Sequence, residues 1–344
     1  MAKAPRIAID AMGGDVGVPV MIEGAALALE RRPKLKFLLT GDQKLIKAAL
    51  KEQPALRKAS EVVHADDVIA GEDKPSKALR KSKTSSMGLA LQAVKDGQCD
   101  ACLSGGNTGA YMAMALFMLR TLPGIDRPAL AARIPTRSED RDAIMLDLGA
   151  NSECDASNLV QFAIMGAAYA RTSMGIENPR VGLLNIGTEE TKGTEEIREA
   201  AATLRTLNGM PFAFGGYVEG DKIPSGDFDV IVSDGFAGNI ALKTLEGTAR
   251  FVTDLLKHAF RSSIRSKFGF LISRPATELL RHHLDPNNHN GGVLLGVNGL
   301  VMKSHGSANV KGVANAIGVT AAIVDRKLLE QVTADLDRMA KANP

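Results

Sequence analysis

The chain reads as a three-layer α/β protein, a largely parallel sheet with helices packed on both faces. Short apolar runs alternate almost from end to end with longer stretches of 3.6-residue period, the pattern of strand–helix–strand units. The 344 residues are 45% hydrophobic and 24% charged, the mix of a chain that buries a real core in about two domains or one large α/β unit. Intrinsic disorder and collagen-like repeats are excluded by the same figures.

The strands expected are Arg6–Ala11, Lys36–Thr40, Glu61–His64, Asp100–Ser104, Ala129–Ile134, Ala143–Asp147, Arg180–Asn185, Phe212–Tyr217, Asp229–Ser233, Val293–Val297 and Leu300–Lys303. Each is short, apolar and bounded by turn residues. Helices are expected at Val20–Arg31, Ser85–Lys95, Thr108–Leu119, Ala156–Arg171, Thr194–Leu207 and Phe236–Phe260, where apolar residues recur at helical spacing. No repeat or Pro/Ser linker marks a boundary. The division expected is 1–103 with 290–344 against 104–289, the second part carrying the basic amphipathic stretch 251–281.

Ligands of such sheets bind beyond the carboxyl ends of the strands. Six loops there combine glycine with Asp, Asn, Ser or Thr: Asp10-Ala-Met-Gly13-Gly14-Asp15, Ser104-Gly105-Gly106-Asn107-Thr108-Gly109, Asp147-Leu-Gly-Ala-Asn151, Asn185-Ile-Gly-Thr-Glu-Glu190, Asp234-Gly-Phe-Ala-Gly-Asn239 and Ser304-His305-Gly306-Ser307. Any one is accounted for by a tight turn and a helix N-cap. Six at strand ends describe one polar cleft lined by backbone N–H groups and helix N-termini, a setting for anions. The 104–109 loop is the best of them, although it has neither dinucleotide nor P-loop spacing; a phosphate or phosphate-bearing group is the ligand expected.

Several chemistries find no support. No H-x-x-x-H or carboxylate-rich helix face suggests a metal, and no G-x-S-x-G elbow suggests a nucleophilic Ser. His282, His283 and His289 fall in a polar stretch expected to be exposed, and His64 and His258 stand alone; His305, in a strand-end loop, is the histidine singled out. The Cys set (Cys99, Cys102, Cys154) is odd and sparse, as in a reducing compartment. Cys99 and Cys102 are expected on opposite faces of a strand as buried thiols. With Trp absent and only 3 Tyr, a stacking surface for nucleic acid is not expected. The N-terminus has no apolar h-region. The uncharged run 101–119 holds too many polar residues and glycines to span a bilayer, so a cytoplasmic protein is expected.

The net charge of +3 is unevenly placed. Leu255–Thr277 holds five of the 42 basic residues and none of the 39 acidic ones, leaving the remainder slightly acidic. Lys257, Arg261 and Arg265 recur every fourth position and are expected on one helix face, followed by Lys267 and Arg274, with Phe268 among the interleaved apolar residues. A surface helix over the core is one reading. A docking element for an acidic partner or an anionic membrane is the other.

Together these motifs resemble one family, the acyl-acyl-carrier-protein:phosphate acyltransferases of bacterial phospholipid synthesis (PlsX type). The loops at 10–15, 104–110, 147–151, 182–187 with Lys192-Gly193, 218–220, 234–239 and 296–307 run in order over nearly the whole chain. The resemblance implies an isocitrate/isopropylmalate-dehydrogenase-like α/β/α fold, a homodimer, and a protruding amphipathic segment that touches the membrane. The implied reaction is attack of orthophosphate on the thioester of acyl-acyl-carrier protein, with no cofactor and no metal, its acyl phosphate passing to a downstream membrane acyltransferase.

On that reading Asn107, Lys192 and His305 carry the catalysis. Asp10, Gly13, Gly14, Asp15, Ser104, Gly105, Gly106, Thr108, Asp147, Asn151, Asn185, Asp234 and Asn239 bind phosphate or substrate or shape the cleft. The region 292–307 also resembles the C-terminal part of phosphotransacetylases, with one departure. The Asp that serves them as a base aligns with Lys311, and His305 replaces an Arg, so that base is not carried over. Transfer from acyl-coenzyme A, a metal-dependent hydroxyacid dehydrogenase of the same fold, and a non-enzymatic adaptor are the alternatives. The dehydrogenase lacks its carboxylate cluster, and the adaptor leaves the loops without purpose.

Overall fold

The computed structural model describes residues 4–15, 17–138, 141–285 and 287–342. Its strands are β1 (Arg6–Asp10), β2 (Lys36–Gly41), β3 (Ser60–His64), β4 (Ala101–Ser104), β5 (Ala129–Pro135), β6 (Asp142–Leu146), β7 (Arg180–Leu184), β8 (Ala213–Val218), β9 (Val230–Val232), β10 (Gly292–Leu295) and β11 (Leu300–Lys303). The helices are α1 (Gly17–Arg31), α2 (Gln43–Ala49), α3 (Pro54–Ala59), α4 (Pro75–Arg80), α5 (Ser86–Lys95), α6 (Thr108–Leu119), α7 (Ala156–Met174), α8 (Glu195–Thr206), α9 (Gly235–Arg261), α10 (Ile264–Leu284), α11 (Val310–Asp325) and α12 (Leu328–Ala342).

All strands form one sheet in the order β3-β2-β1-β4-β11-β10-β5-β6-β9-β7-β8. Pairing is parallel except at the centre, where β10 runs against both β11 and β5, and β5 against β6. These three antiparallel contacts reverse the chain. The strands β1 to β4 and β11 point one way, and β6, β7, β8 and β9 point the other.

The central strands are buried on both faces: Ile7, Ala8, Ile9, Ala101, Cys102, Leu103, Ile144, Met145 and Leu146 are almost wholly inaccessible, as covered sheets require. Helix α7 is buried nearly all round. It starts in a capping box of Asp155 and Asn158 and ends at Gly175 in the left-handed conformation, the usual stop signal. Cys99 and Cys102 share one apolar cluster. Cys99 precedes β4, so the opposite-face expectation does not hold, although both side chains are buried.

The single long basic helix face is also corrected. The helix breaks at Ser262–Ser263, where the Ser263 side chain caps α10 by accepting from Ser266 N, so Lys257 and Arg261 lie on α9 and Arg265 on α10. The two helices pack together, with Phe260 and Phe270 ring centroids 5.3 Å apart. No described residue of α10 is buried. Among the described residues no helix is long and apolar enough to cross a membrane.

Helix α9 is seated by close backbone approach at its start. A Cβ on Gly238 would lie 1.9 Å from Asp147 O and 2.5 Å from Ser233 Oγ. Gly238→Ala is therefore expected to cost about 2–3 kcal/mol through overpacking, measured by urea unfolding. A loss under about 0.5 kcal/mol would show that the helix slides freely.

Candidate active site

The loops after β1, β4 and β11 interlock at one edge of the sheet. Ser104 Oγ donates to the buried carboxylate of Asp10 at 2.7 Å and accepts from Gly106 N at 3.0 Å. Asp15 N donates to Gly306 O at 2.8 Å. The glycines leave no room for side chains: a Cβ on Gly13 would sit 2.5 Å from the Asp10 carboxylate, and one on Gly105 3.0 Å from Gly13 O.

A lysine and a histidine emerge beside this cradle. Lys303 Nζ donates to Gly105 O at 3.3 Å and to Ser304 O. His305 is aimed by Asn290, whose Oδ1 accepts from His305 N at 2.9 Å while its Nδ2 donates to Ser304 Oγ at 2.8 Å. His305 Nε2 stands 3.8 Å from Glu246 Oε1 of α9.

Burial sets the charges. It lowers Lys303 to about 8, against the opposing pull of Asp15 and Asp10. Partial desolvation also lowers His305, whose side chain remains 47% exposed, with Glu246 opposing and Lys303, Lys243 and Arg250 adding to the shift. Asp10 is raised by burial, partly offset by hydrogen bonds that include Ser104.

The loops after β6, β7 and β9 form a second group. Asp147 accepts from Leu130 N, Gly149 N and Ala150 N on one oxygen, and from Asn151 N and Nδ2 on the other, at 2.7–3.2 Å. Asn151 Nδ2 also donates to Pro128 O, and its carbonyl accepts from Gly235 N. Asp234 caps α9, and Asn239 donates to Leu148 O. Asn185 Nδ2 donates to Lys192 O. Beside them opens a cleft of about 1280 Å³, lined by Arg127, Asp155, Asn185, Thr194, Glu219 and Asp234 among others.

One cleft holding all six loops is therefore corrected to two groups, because strands running in opposite directions send their carboxyl ends to opposite edges. Five strand spacings separate β11 from β7 in the sheet order, roughly 24 Å at ~4.8 Å each. Within one chain Lys192 thus stands far from His305. Asn107 is corrected as well. Its Oδ1 caps α6 by accepting from Ala110 N, and its Nδ2 donates to Gly71 O and Asp73 O, so the amide is committed to backbone. Thr108 opens α6. His283 and His289 are not free in solvent: the first contacts Thr136 O at 2.7 Å, and the second pairs with Asp142 at 3.2 Å.

Sequence reasoning missed Lys303, Asn290 and Glu246. Lys303 was within reach, since it ends a strand beside the chosen Ser304-His305-Gly306 loop. Asn290 precedes an antiparallel strand, and Glu246 lies three turns inside a helix, where a search of strand ends does not look.

A covered α/β sheet with a central reversal and a glycine cradle beside Lys303 and His305 defines a scaffold for group transfer involving an anion. In structure the chain is similar to a phosphotransacetylase from Streptococcus pyogenes, with TM-score 0.63, 16% identity and 95% of each chain covered. It is also similar to a branched-chain phosphotransacylase from Enterococcus faecalis, with TM-score 0.58, 14% identity, and 93% of this chain and 99% of that one covered. That likeness is one of fold.

In sequence, residues 5–331 match the family described as "Fatty acid synthesis protein". The chain is 62% identical over 337 residues to a phosphate acyltransferase of Erythrobacter litoralis, covering 98% of this chain and 95% of the relative. To one of Rhodopseudomonas palustris (strain BisB5) it is 54% identical over 339 residues, covering 98% and 96%. The chain belongs to this phosphate acyltransferase family of fatty acid and phospholipid synthesis.

Proposed function

We propose that the chain transfers a fatty acyl group from acyl-acyl-carrier protein to orthophosphate, and that the reaction takes place at the β1–β4–β11 edge. The observation that carries this reading is the placement of Lys303 and His305 beside the glycine cradle, Lys303 held below its usual value by burial and His305 by partial desolvation and the neighbouring cations. Orthophosphate is largely dianionic near neutral pH, so it needs less activation than water.

In the proposed step a phosphate oxygen adds to the thioester carbon, the tetrahedral oxyanion collapses, the C–S bond breaks, and acyl phosphate forms. Neutral His305 accepts the phosphate proton. Lys303, close in acidity to a thiol (~8.5), gives its proton to the leaving thiolate. The ammonium also stabilises the oxyanion, the term on which such reactions depend most. Lys303 takes the charge-compensating part first expected of Lys192. The loops at 147–151, 185–193 and 234–239 are proposed to position β6, β7 and α9. The segments 1–103 with 290–344, and 104–289, are proposed as the subdomains, with α9 of the second reaching His305 of the first through Glu246.

Carrier protein is the donor favoured because it is acidic and the α9–α10 hairpin is cationic. Lys257, Arg261, Arg265, Lys267 and Arg274 accompany Phe268, Leu271 and Ile272, which is 84% exposed. The same hairpin is proposed to touch an anionic membrane as a peripheral contact, and the exposed Ile186, Phe236 and Ile240 to be covered by a second copy in a homodimer. Flotation with vesicles should recover the protein with anionic lipid and not with neutral lipid, and sedimentation velocity should show a dimer. Equal flotation, or a monomer, would reject the respective claim.

The direct test supplies acyl-carrier protein or acyl-coenzyme A with orthophosphate, then measures free thiol and hydroxylamine-trapped acyl phosphate. Phosphate-dependent release, faster with carrier protein and slowed by salt, is expected. Faster release from acyl-coenzyme A would assign the other donor, and no dependence on phosphate would contradict the reaction.

The protonated form of Lys303 is the active one, so kcat should fall as pH rises through about 8. Lys303→Arg keeps the charge and should abolish that alkaline limb, whereas Lys303→Met should lower kcat roughly 10²–10³-fold. An unchanged limb in either variant would remove Lys303 from the step.

A further inference from the structure

One face of α9 is turned toward His305 although no strand-end loop includes it. Lys243, Glu246 and Arg250 fall at i, i+3 and i+7 of the helix, on one side. The Glu246 side chain is 15% exposed and gathers two cationic partners, Lys243 Nζ at 2.9 Å and Arg250 at 3.4 Å on Oε2, and the His305 imidazole, with Nε2 3.8 Å from Oε1. The neighbouring Ala241, Leu242 and Leu245 pack on an apolar cluster that includes residues of β5, β6, β8 and β9, so the helix cannot turn this face away without unpacking its apolar side.

We propose that Glu246 is the positioning residue for the His305 imidazole, and that Lys243 and Arg250 complete the phosphate site from α9. The inference rests on the reaction site proposed above and deepens it. The physical reason is twofold. A carboxylate beside one ring nitrogen fixes the orientation and tautomer of an imidazole, and such contacts in a substrate-free enzyme are commonly long. The three cations Lys243, Arg250 and Lys303 also outnumber Glu246 and Asp15, while burial raises Asp10 toward its neutral form, so the locus favours an anion such as phosphate.

The groups facing His305 pull its ionisation in both directions. Glu246 raises it, while Lys303 on the preceding strand and Lys243 and Arg250 on α9 lower it. Replacing Glu246 by Gln therefore moves the imidazole titration to lower pH. It also makes the locus more positive, so phosphate should bind as well or better while turnover falls. A residue that only held the helix in place would give the opposite split, with phosphate affinity lost.

The test uses the full chain with acyl-carrier protein and orthophosphate. For Glu246→Gln we expect kcat to fall about tenfold, part of the ~10²–10⁴ that an acid–base group supplies. KM for phosphate should be unchanged or lower, and the His305 resonance in an NMR titration should shift to lower pH. Glu246→Asp, which restores the charge with a shorter reach, should recover part of kcat. Lys243→Gln and Arg250→Gln should each raise KM for phosphate severalfold with kcat little changed.

Melting temperatures matching wild type show that the variants fold. If Glu246→Gln keeps kcat and the imidazole titration within error of wild type, or raises KM while leaving kcat alone, the inference is overturned. His305→Gln in the same assay separates the two claims. A loss there beside a silent Glu246→Gln would sink only the positioning role, whereas full activity of His305→Gln would sink the site reading itself.

Discussion

The antiparallel pairing at the centre of the sheet is the constraint on which the rest depends. The β5–β6 register, Ala132 opposite Met145 through Pro135 opposite Asp142, turns β6 and the strands paired beyond it to face the other way. Two loop groups result at opposite edges instead of one ring. The reversed side is held by a buried carboxylate: Asp147 accepts five hydrogen bonds at the end of β6. Removing those acceptors would strand several buried donors, each worth about 1–3 kcal/mol. A tightly knit turn here is thus a load on the fold before it is anything for a ligand.

Helix α9 ties the two edges together. It begins among the Asp147–Asn151 turn and the Asp234 cap, passes Glu246 near His305, and ends in the exposed cationic hairpin with α10. Its 27 residues give about 40 Å at 1.5 Å per residue, enough to span the half-sheet. The chemistry at the first edge can then be electrostatic: a cradle without room for side chains, a lysine made less basic by burial, a histidine made less basic by partial desolvation and neighbouring cations, and cations arriving from a different part of the chain.

Much of this was legible in the sequence. Hydrophobic period placed strands within a residue or two of β1, β2, β4, β6 and β7, and read α6 with both ends correct as Thr108–Leu119. Glycine and polar residues at strand ends pointed to both loop groups. What periodicity does not carry is direction, because apolar alternation is the same whichever way a strand runs. The reversal, and with it the separation of Lys192 from His305 and the entry of Asn290 ahead of β10, is a long-range property. The roles of Asn107 and Asp147 were hidden for another reason. A polar residue at a strand end serves a cap or a ligand equally well until its partners are known. The break before α10 had a local signal, since Ser263 precedes an apolar helical stretch, but the fourfold spacing of the basic residues overrode it.

The most direct test of the account is where orthophosphate binds. A crystal structure of the enzyme with bound orthophosphate should show the anion between Lys303, His305 and the glycines of the β1 and β4 loops, with Lys243 and Arg250 turned toward it. Phosphate seated instead among Asn185, Lys192 and Asp234, at the opposite edge of the sheet, would contradict it.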